Sequence, residues 1–392
     1  MMTMSYRFVL TASLLGTALL GMPGRGAAQQ VTIAAEPAPA FNALFRKTSG
    51  WVAGDGAFSV PLADGRVLWL FGDSHIGGID STHAGSGPSV HPHIPPSARY
   101  TVPCLFQVRN AAFVHRRQDM HGHQTLIGKP PGIPSLFKVL PGDSTWVWPG
   151  FGVQLGDTVY IMQSEFRATG SGGPLGFEAT GRYYLSRMTF PGLTVAGYQL
   201  LADANGINFS IGMVRPEGDN YVYLYGYKTA LVEPDIYVAR IPARRPWSAW
   251  EYWDGAAWQP DVQRASAIGK GASNGVNVQQ VDGRYLLVST EFSIDCDQGK
   301  QIFVSLADRP QGPFGKRMPV YVIPDTLQGH YPFFYAPAVH PEFRKDSAVL
   351  VTYCINEYGH CVTTCVNNRK NPDHYRPRAF WLSIKDMEHP AP

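Results

Sequence analysis

Two acidic residues near the start of the chain stand where paired carboxyl groups could do chemistry. Asp55 lies between two glycines, and Asp73 follows the apolar run that ends at Phe71. Two carboxyl groups cleave a glycosidic bond when one protonates the leaving oxygen and the other acts as base or nucleophile. We therefore predict that Asp55 and Asp73 are catalytic. Later apolar runs are followed in the same way by Glu165, Glu291 and Glu357.

Aromatic, amide and acidic side chains recur beside these positions and suit a carbohydrate ligand. Ligand sites combine apolar and aromatic walls with a few polar groups that fix orientation. The residues that we predict to bind substrate are His75, Trp148, Glu165, Asn208, Tyr227, Asn274, Glu291, Tyr335 and Glu357. Crowded acids in a partly dry site would raise one pKa and keep a proton available near neutral pH. The alternative is that each acid only accepts hydrogen bonds within its own turn.

The elements that must position these residues are short β-strands joined by tight turns. Gly and Pro, together with 12% aromatic residues, favour many short strands over long helices. Asp-Gly and Gly-Asp turns between apolar runs are strong signals of a β-hairpin. Five such hairpins are predicted, with turns at residues 63–66, 156–158, 218–220, 282–284 and 345–347.

A third strand follows most hairpins and a fourth follows some, so the predicted fold is all-β. Repeats of about four antiparallel strands are typical of a five-bladed β-propeller, in which residues 31–35 would complete the last blade. The residues before the first strand and after the second strand of each blade would then meet at one rim of a central funnel. A β-sandwich is the structural alternative. Predicted fourth strands are residues 136–140, 250–253 and 320–323.

The opening segment carries a more specific pattern than the repeats. Residues 54–56, Ser59, the Asp64-Gly65 hairpin and residues 69–74 resemble the opening of a family of bacterial secreted propellers long described only as domains of unknown function. Some members of that family are endo-acting D-arabinanases, and the wider five-bladed group includes arabinanases, xylosidases and fructan hydrolases. The resemblance implies a glycoside hydrolase for furanose-rich glycans, with the acids at positions 55 and 73 as its catalytic pair.

The chain also departs from the better-known arabinanase and xylosidase propellers. Those proteins carry acids before the first strands of their second and third blades, where this chain has Trp148-Pro149-Gly150 and Asn208-Phe209-Ser210. The mechanism of that older group therefore does not transfer to this sequence, and the residue that assists the aspartate pair stays open.

The N-terminus has the pattern of a secretory signal. Arg7 precedes an apolar run over residues 8–20, and the small residues 26–28 offer a cleavage point. We predict a signal peptide over residues 1–28, a single propeller domain over residues 29–392, and a secreted or periplasmic location. The apolar run is too short to span a bilayer, so no membrane span is predicted. Loss of Arg7 and Arg25 with the signal peptide would take the formal net charge from +3 to +1, and this near-neutral balance argues against nucleic acid as a partner. We expect a monomer.

The cysteines and the acids leave two further expectations. Five cysteines in an exported chain permit disulfides, and the proximity of Cys354, Cys361 and Cys365 predicts a local bond, with one thiol left over. No metal site is predicted among the catalytic residues. A ring of acids could nevertheless hold a structural calcium ion in the central channel, because calcium takes several oxygen ligands.

Two other functions suit the same predicted fold. A carbohydrate-binding propeller would bind glycan through the same funnel without releasing product. A structural or interaction propeller on a cell-surface complex would show no affinity for glycan. Both remain alternatives to the hydrolase at the level of sequence.

Overall fold

The computed structural model describes residues 35–77, 101–129, 132–170, 176–230, 232–246, 248–357 and 359–388. The predicted signal peptide and most of the loop between His75 and Tyr100 lie outside the described residues. The described part is almost entirely strand and turn, as predicted. None of its helices is long and apolar enough to cross a membrane.

The chain begins with a strand that belongs to the last blade and then enters the first. The N-terminal elements are β1 (Ala35–Pro37), α1 (Pro39–Asn42), a 3-10 helix (Ala43–Phe45) and β2 (Trp51–Gly54). Blade I consists of β3 (Phe58–Pro61), β4 (Arg66–Phe71), β7 (Ala111–Arg116) and β8 (Gln124–Leu126), and between them lie β5 (Ser74–Ile76) and β6 (Val102–Pro103).

Blades II and III follow as antiparallel sheets in chain order. Blade II contains β9 (Thr145–Leu155), β10 (Thr158–Ala168), β11 (Phe177–Thr189) and β12 (Val195–Leu200). Blade III contains β13 (Ile207–Val214), β14 (Tyr221–Lys228), β15 (Asp235–Pro242) and β16 (Glu251–Trp253), extended by β17 (Trp258–Gln259), a 3-10 helix (Val262–Arg264) and β18 (Gly269–Lys270).

Blades IV and V complete the ring. Blade IV contains β19 (Val276–Val281), β20 (Arg284–Thr290), β21 (Gln301–Ala307) and β22 (Met318–Val322). Blade V contains β23 (Phe333–Lys345), β24 (Ala348–Asn356) and β26 (Arg378–Ser383), with β25 (Arg369–Lys370), a 3-10 helix (Pro372–Tyr375) and α2 (Lys385–Glu388) beside them.

The last blade takes its outer strand from the start of the chain. β1 pairs antiparallel with β26, with Glu36 opposite Trp381, so the sheet order is β23-β24-β26-β1. The structure therefore has five blades of four antiparallel strands, which confirms the predicted all-β propeller. The closing strand lies at Ala35–Pro37, slightly beyond the predicted residues 31–35.

All five predicted hairpins are present in register, but one predicted fourth strand is wrong. Blade I uses β8 as its outer strand, and residues 136–140 form an irregular segment. The side-chain amide of Asn110 binds both the backbone N–H and the backbone carbonyl of Phe137 at 2.7 and 3.0 Å. The backbone N–H and carbonyl groups of this segment are therefore paired with a side chain instead of a neighbouring strand.

The hydrophobic core lies in the seams between neighbouring blades. Of five buried clusters, four combine residues from two adjacent blades, and the fifth joins blades II and III with Ala338 of blade V. At the seam of blades V and I, Phe41 packs edge-on against Phe343 at 4.7 Å, and Trp69 stacks on Phe343 at 5.8 Å. Aromatic burial of this kind holds the first and last blades together, and so closes the funnel around the inner strands.

Two disulfides join distant parts of the chain, so the expected local bond in the C-terminal loop is wrong. Cys104 pairs with Cys365, and Cys296 pairs with Cys361. Cys354 is the leftover thiol and is buried. The ring brings the loops of blades I, IV and V to one side of blade V, and spacing along the sequence cannot reveal such proximity.

Candidate active site

The funnel enclosed by the inner strands has a volume of about 350 Å³ and is lined by residues from all five blades. The predicted convergence of strand ends is therefore present. The predicted site residues that line it are Asp55, Trp148, Asn208, Tyr227, Asn274 and Tyr335. The remaining predicted residues, Asp73, His75, Glu165, Glu291 and Glu357, are outside this lining.

Asp55 lies on the bend between β2 and β3 and faces the funnel. Its Oδ2 accepts hydrogen bonds from the hydroxyl groups of Tyr335 at 2.8 Å and Tyr375 at 2.9 Å. The bend continues through Gly56, whose φ of 98° favours glycine, and the Gly56 N–H points at the thiol sulfur of Cys354 at 3.2 Å. Blade V thus fixes an acid that the N-terminal segment of blade I supplies.

Asp73 follows β4 and is hydrogen-bonded to Trp148, a residue of the funnel lining to which Asp73 itself does not belong. Trp148 Nε1 donates to Oδ1 of Asp73 at 3.1 Å, and Arg109 Nη1 lies 3.5 Å from Oδ2. The guanidinium of Arg109 is itself packed over the rings of Trp146 at 3.8 Å and Phe106 at 4.7 Å. Asp73 is thus 7% exposed, with a donor at each oxygen.

Burial perturbs both acids, and the charge of Asp55 also perturbs Asp73. Burial raises the pKa of Asp55, and its tyrosine hydrogen bonds offset part of that rise. Burial, and then the charge of Asp55, raise the pKa of Asp73 well above its usual range, which Arg109 and Trp148 offset only in part. Two acids whose environments differ in this way are suited to divide the roles of proton donor and proton acceptor.

Gly72 provides the space in which the Asp55 carboxylate lies next to Trp148. A Cβ atom at this position would lie 2.4 Å from Oδ1 of Asp55 and 3.5 Å from Cδ1 of Trp148. The Gly72 N–H also donates to the backbone carbonyl of Asp55 at 2.9 Å. A larger residue would displace the Asp55 carboxylate, so position 72 requires glycine because the carboxylate lies so close to its Cα atom.

The rest of the funnel wall is aromatic and neutral. Trp148 packs against Phe166 at 4.2 Å and against Phe177 at 4.9 Å. On another part of the wall, the Ser164 hydroxyl donates to the Asn208 side-chain oxygen at 3.2 Å. Among the described residues that line the funnel, Asp55 is the only Asp, Glu, Lys, Arg or His.

Asn274 and Tyr227 line the funnel in different ways. The Asn274 amide is engaged by the backbone of Ala230 in both directions, accepting at 3.3 Å and donating at 2.7 Å. Its polar group thus fastens the loop after β14. Burial raises the pKa of Tyr227, so its hydroxyl stays protonated and can donate within the funnel.

The three glutamates predicted to join the site are held elsewhere. Glu165 accepts from the hydroxyl groups of Tyr184 at 2.6 Å and Thr180 at 2.9 Å, next to a register shift in the pairing of β10 with β11. One extra residue in a strand changes the face on which a side chain lies. Glu291 accepts from the backbone N–H groups of Lys300 at 2.9 Å and Gln301 at 3.1 Å.

Glu357 belongs to a buried charge cluster beside the aspartate pair. It contacts Lys370 at 2.7 Å and His374 at 3.3 Å. Burial alone would raise the pKa of Glu357, but the hydrogen bond from His374 and the charge of Lys370 lower it to about 2. Next to this cluster, burial and then the charge of Lys370 lower the pKa of His75 to about 3. The His75 ring meets Tyr375 edge-on at 6.0 Å.

The ring of acids that was expected to offer calcium ligands is not formed by the described residues, because its glutamates have these separate partners. One group of potential ligands is Asp295, Cys296 and Cys361, but both cysteines are in a disulfide. A bound calcium ion thus stays an untested expectation.

Sequence reasoning missed Tyr375 and Arg109. Tyr375 ends a 3-10 helix between β24 and β26, and reaches Asp55 across the ring closure. Arg109 lies just before β7, and its role depends on the rings of Trp146 and Phe106. The run Pro372–Tyr375 begins after Asn371, whose side chain caps the helix, but nothing in that signal indicates which blade it faces.

Comparison with known families identifies this chain at the level of sequence. The pattern of the family described as a domain of unknown function, DUF5005, matches residues 39–383, and the chain belongs to that family. A comparison with curated proteins gives no significant match.

Comparison with solved structures supports the fold. A protein from Bacteroides ovatus ATCC 8483, described provisionally as a hydrolase, has a TM-score of 0.70 at 17% identity, with 95% of this chain and 96% of that chain covered. An exo-β-1,3-galactanase from Phanerochaete chrysosporium has a TM-score of 0.47 at 10% identity, covering 87% of this chain and 64% of that one. An α-L-arabinofuranosidase from Podospora anserina has a TM-score of 0.43 at 8% identity, covering 86% and 91%.

Proposed function

We propose that this member of the DUF5005 family is an exported glycoside hydrolase that acts on a furanose-containing polysaccharide of the arabinan or arabinogalactan type. The observation that carries the proposal is the pair of Asp55, which lines the funnel, and Asp73, which accepts a hydrogen bond from the lining residue Trp148 and whose pKa is raised by the charge of Asp55. Burial raises the pKa of both acids, and a raised pKa favours the protonated acid that glycoside hydrolysis needs.

In the proposed reaction, one aspartate gives a proton to the sugar and the other acts as base or nucleophile. One carboxylic acid gives its proton to the glycosidic oxygen as the bond to the anomeric carbon breaks. The other carboxylate takes a proton from the attacking water, or bonds the anomeric carbon in an intermediate that water then releases. Exchange with solvent restores one protonated and one ionised aspartate.

The walls of the funnel support a neutral sugar as the ligand. Trp148 and Phe166 offer apolar faces, while Asn208 and Tyr227 offer polar groups for sugar hydroxyls. The described lining holds no basic side chain that would balance an acidic sugar. The furanose assignment rests on the opening motif of residues 54–74.

Two observations support export as part of the proposal. The N-terminal apolar segment has the pattern of a signal peptide, and two disulfides suit an oxidising compartment. We propose that the mature chain acts as a monomer outside the cytoplasm.

The test is release of reducing sugar from a panel of arabinans, arabinogalactans and neutral galactans. The mature chain is compared with Asp55→Asn and with Asp64→Asn, a matched control in the exposed turn of the same hairpin, where Asp64 contacts Arg66. We expect release by the parent and by Asp64→Asn, and none by Asp55→Asn. Full activity of Asp55→Asn would contradict the proposal. Binding of these glycans without release would favour a carbohydrate-binding propeller.

A further inference from the structure

We infer that the hydroxyl groups of Tyr335 and Tyr375 hold Asp55 as the ionised member of the pair, so that Oδ1 of Asp55 is the reacting oxygen and Asp73 is the acid. This inference rests on the proposed glycoside hydrolysis and assigns the two roles within it. Tyr335 and Tyr375 are positioning residues, because they act on the substrate through Asp55.

The geometry around Oδ2 of Asp55 carries the first step. Both tyrosine hydroxyls donate to this one oxygen, at 2.8 and 2.9 Å. Asn356 Nδ2 donates to the Tyr335 oxygen at 3.2 Å, so the Tyr335 proton is directed at Asp55. Two donors on one carboxyl oxygen stabilise the charged form over the protonated form. Burial, and then the charge of Asp55, raise the pKa of both tyrosines well above the usual value, so both keep their protons.

The second step concerns the other oxygen of Asp55. Oδ1 lies against Gly72, where a Cβ atom would be 2.4 Å away, and both residues line the funnel. Neither tyrosine hydroxyl binds this oxygen. Oδ2 is thus used for positioning, while Oδ1 is the oxygen next to the space in which a sugar or a water would lie.

The third step is the charge on the neighbouring groups. Asp55 faces Asp73, the two tyrosines and the Cys354 thiol, and burial raises the pKa of that thiol so that it stays neutral. An ionised Asp55 disfavours a second negative charge on Asp73. Arg109 lies 3.5 Å from the Asp73 carboxylate and offsets this effect only in part. Asp73 is then the member of the pair that keeps its proton and serves as the acid of the proposed hydrolysis, and Asp55 Oδ1 receives a proton from water or bonds the anomeric carbon.

The test uses Tyr335→Phe, Tyr375→Phe and the double variant on the polysaccharide that the parent cleaves. Each lost hydroxyl should make Asp55 harder to ionise, so the acid limb of the kcat/KM profile should move to higher pH. At a pH below that limb we expect about tenfold lower kcat/KM for each hydroxyl, with KM nearly unchanged. The matched control is Tyr353→Phe, which removes a buried tyrosine bond to Asp325 in the same blade, 2.5 Å long. The control should lower Tm and leave the acid limb in place.

Failure of this inference is distinguishable from failure of the proposed function. If Asp55→Asn is inactive while both Phe variants keep the parental acid limb, the role assignment is overturned and the hydrolase stands. If no polysaccharide is cleaved, ¹³C NMR titration of aspartate carboxyls in the mature protein reads Asp55 directly, with Asp55→Asn identifying its signal. A midpoint that rises in the Phe variants supports the inference, and an unchanged midpoint overturns it.

Discussion

Blade I and blade IV place an acid at the same point, directly after the second strand, and use it differently. Asp73 follows β4 and shares its surroundings with a second carboxyl group, Asp55. Glu291 follows β20 and accepts two backbone N–H groups of its own blade. The position in the repeat is the same, so the partners decide whether the pKa of the acid is raised by a second carboxyl group or the acid binds the backbone of a loop.

In blades II and V, the acid near the end of the second strand is also held by nearby donors. Glu165 is bound by two hydroxyl groups, and Glu357 is paired with Lys370 and His374. In each case donors satisfy the carboxylate within its own blade. In blade I, by contrast, the charge of Asp55 raises the pKa of Asp73.

Exchanging each acid for its amide gives the largest difference between blades I and IV. Asp73→Asn removes a proton donor, and we expect kcat to fall about 10²–10⁴-fold. Glu291→Gln keeps an acceptor for one backbone N–H, and should leave kcat near the parental value. Both are measured by sugar release, with Tm as a check on folding. Equal losses in the two variants would show that the acids of blades I and IV are not distinct.

Removing the cation of blade V tests whether its acid is structural. Lys370→Met leaves the buried Glu357 with an uncompensated charge, and we expect a loss of about 3–5 kcal/mol in the free energy of unfolding. The matched control is Lys345→Met, whose exposed pair with Glu36 should cost about 0–1 kcal/mol.

The same cluster predicts a pH dependence that urea unfolding can measure. The pKa of Glu357 is lowered to about 2 from an ordinary 4.5. The ionised Glu357 therefore contributes fully to the free energy of unfolding above pH 4.5, and this contribution is lost as the pH falls towards 2. Glu357→Gln should flatten the stability profile in that window. If the variant's profile is as steep as that of the parent, Glu357 does not cause the pH dependence of stability.

Gly72→Ala tests the space beside the Asp55 carboxylate and has the smallest expected effect. The new methyl group would meet Oδ1 of Asp55 and shift the carboxylate, and we expect about 10²-fold lower kcat. Gly315→Ala is a suitable control, because the nearest atom to a Cβ there is 3.5 Å away. If the two variants have equal activity, the position of Asp55 is not critical.

The fold was predictable from the sequence because its signals are local. Polar turns such as Asp282-Gly283 lie between alternating strands, and each predicted hairpin is present. The predictions that are wrong concern features that depend on contacts between residues far apart in the sequence. Residues 136–140 look like a strand, but the side chain of Asn110 satisfies Phe137. The disulfide between Cys104 and Cys365 joins residues 261 positions apart, which only ring closure brings together.

The candidate site was predictable in part for the same reason. Asp55 and Asp73 belong to one motif, and Tyr335 and Trp148 stand at predictable strand starts. Orientation was not predictable, because the register shift beside Glu165 and the bidentate amide of Asn274 depend on pairing and loop geometry. Tyr375 comes from the blade that closes the ring, so no repeat position marks it.

Ring closure gives the chain three separate connections between its beginning and its end. β1 pairs with β26, β6 pairs with β25, and Cys104 is bonded to Cys365. A single backbone cut in an exposed turn, such as the one at Gly283, would leave two fragments joined by strand pairing and by a covalent sulfur bridge. The propeller is therefore a ring whose ends are joined both by strand pairing and by a disulfide. We expect it to tolerate proteolytic nicking and circular permutation at its outer turns.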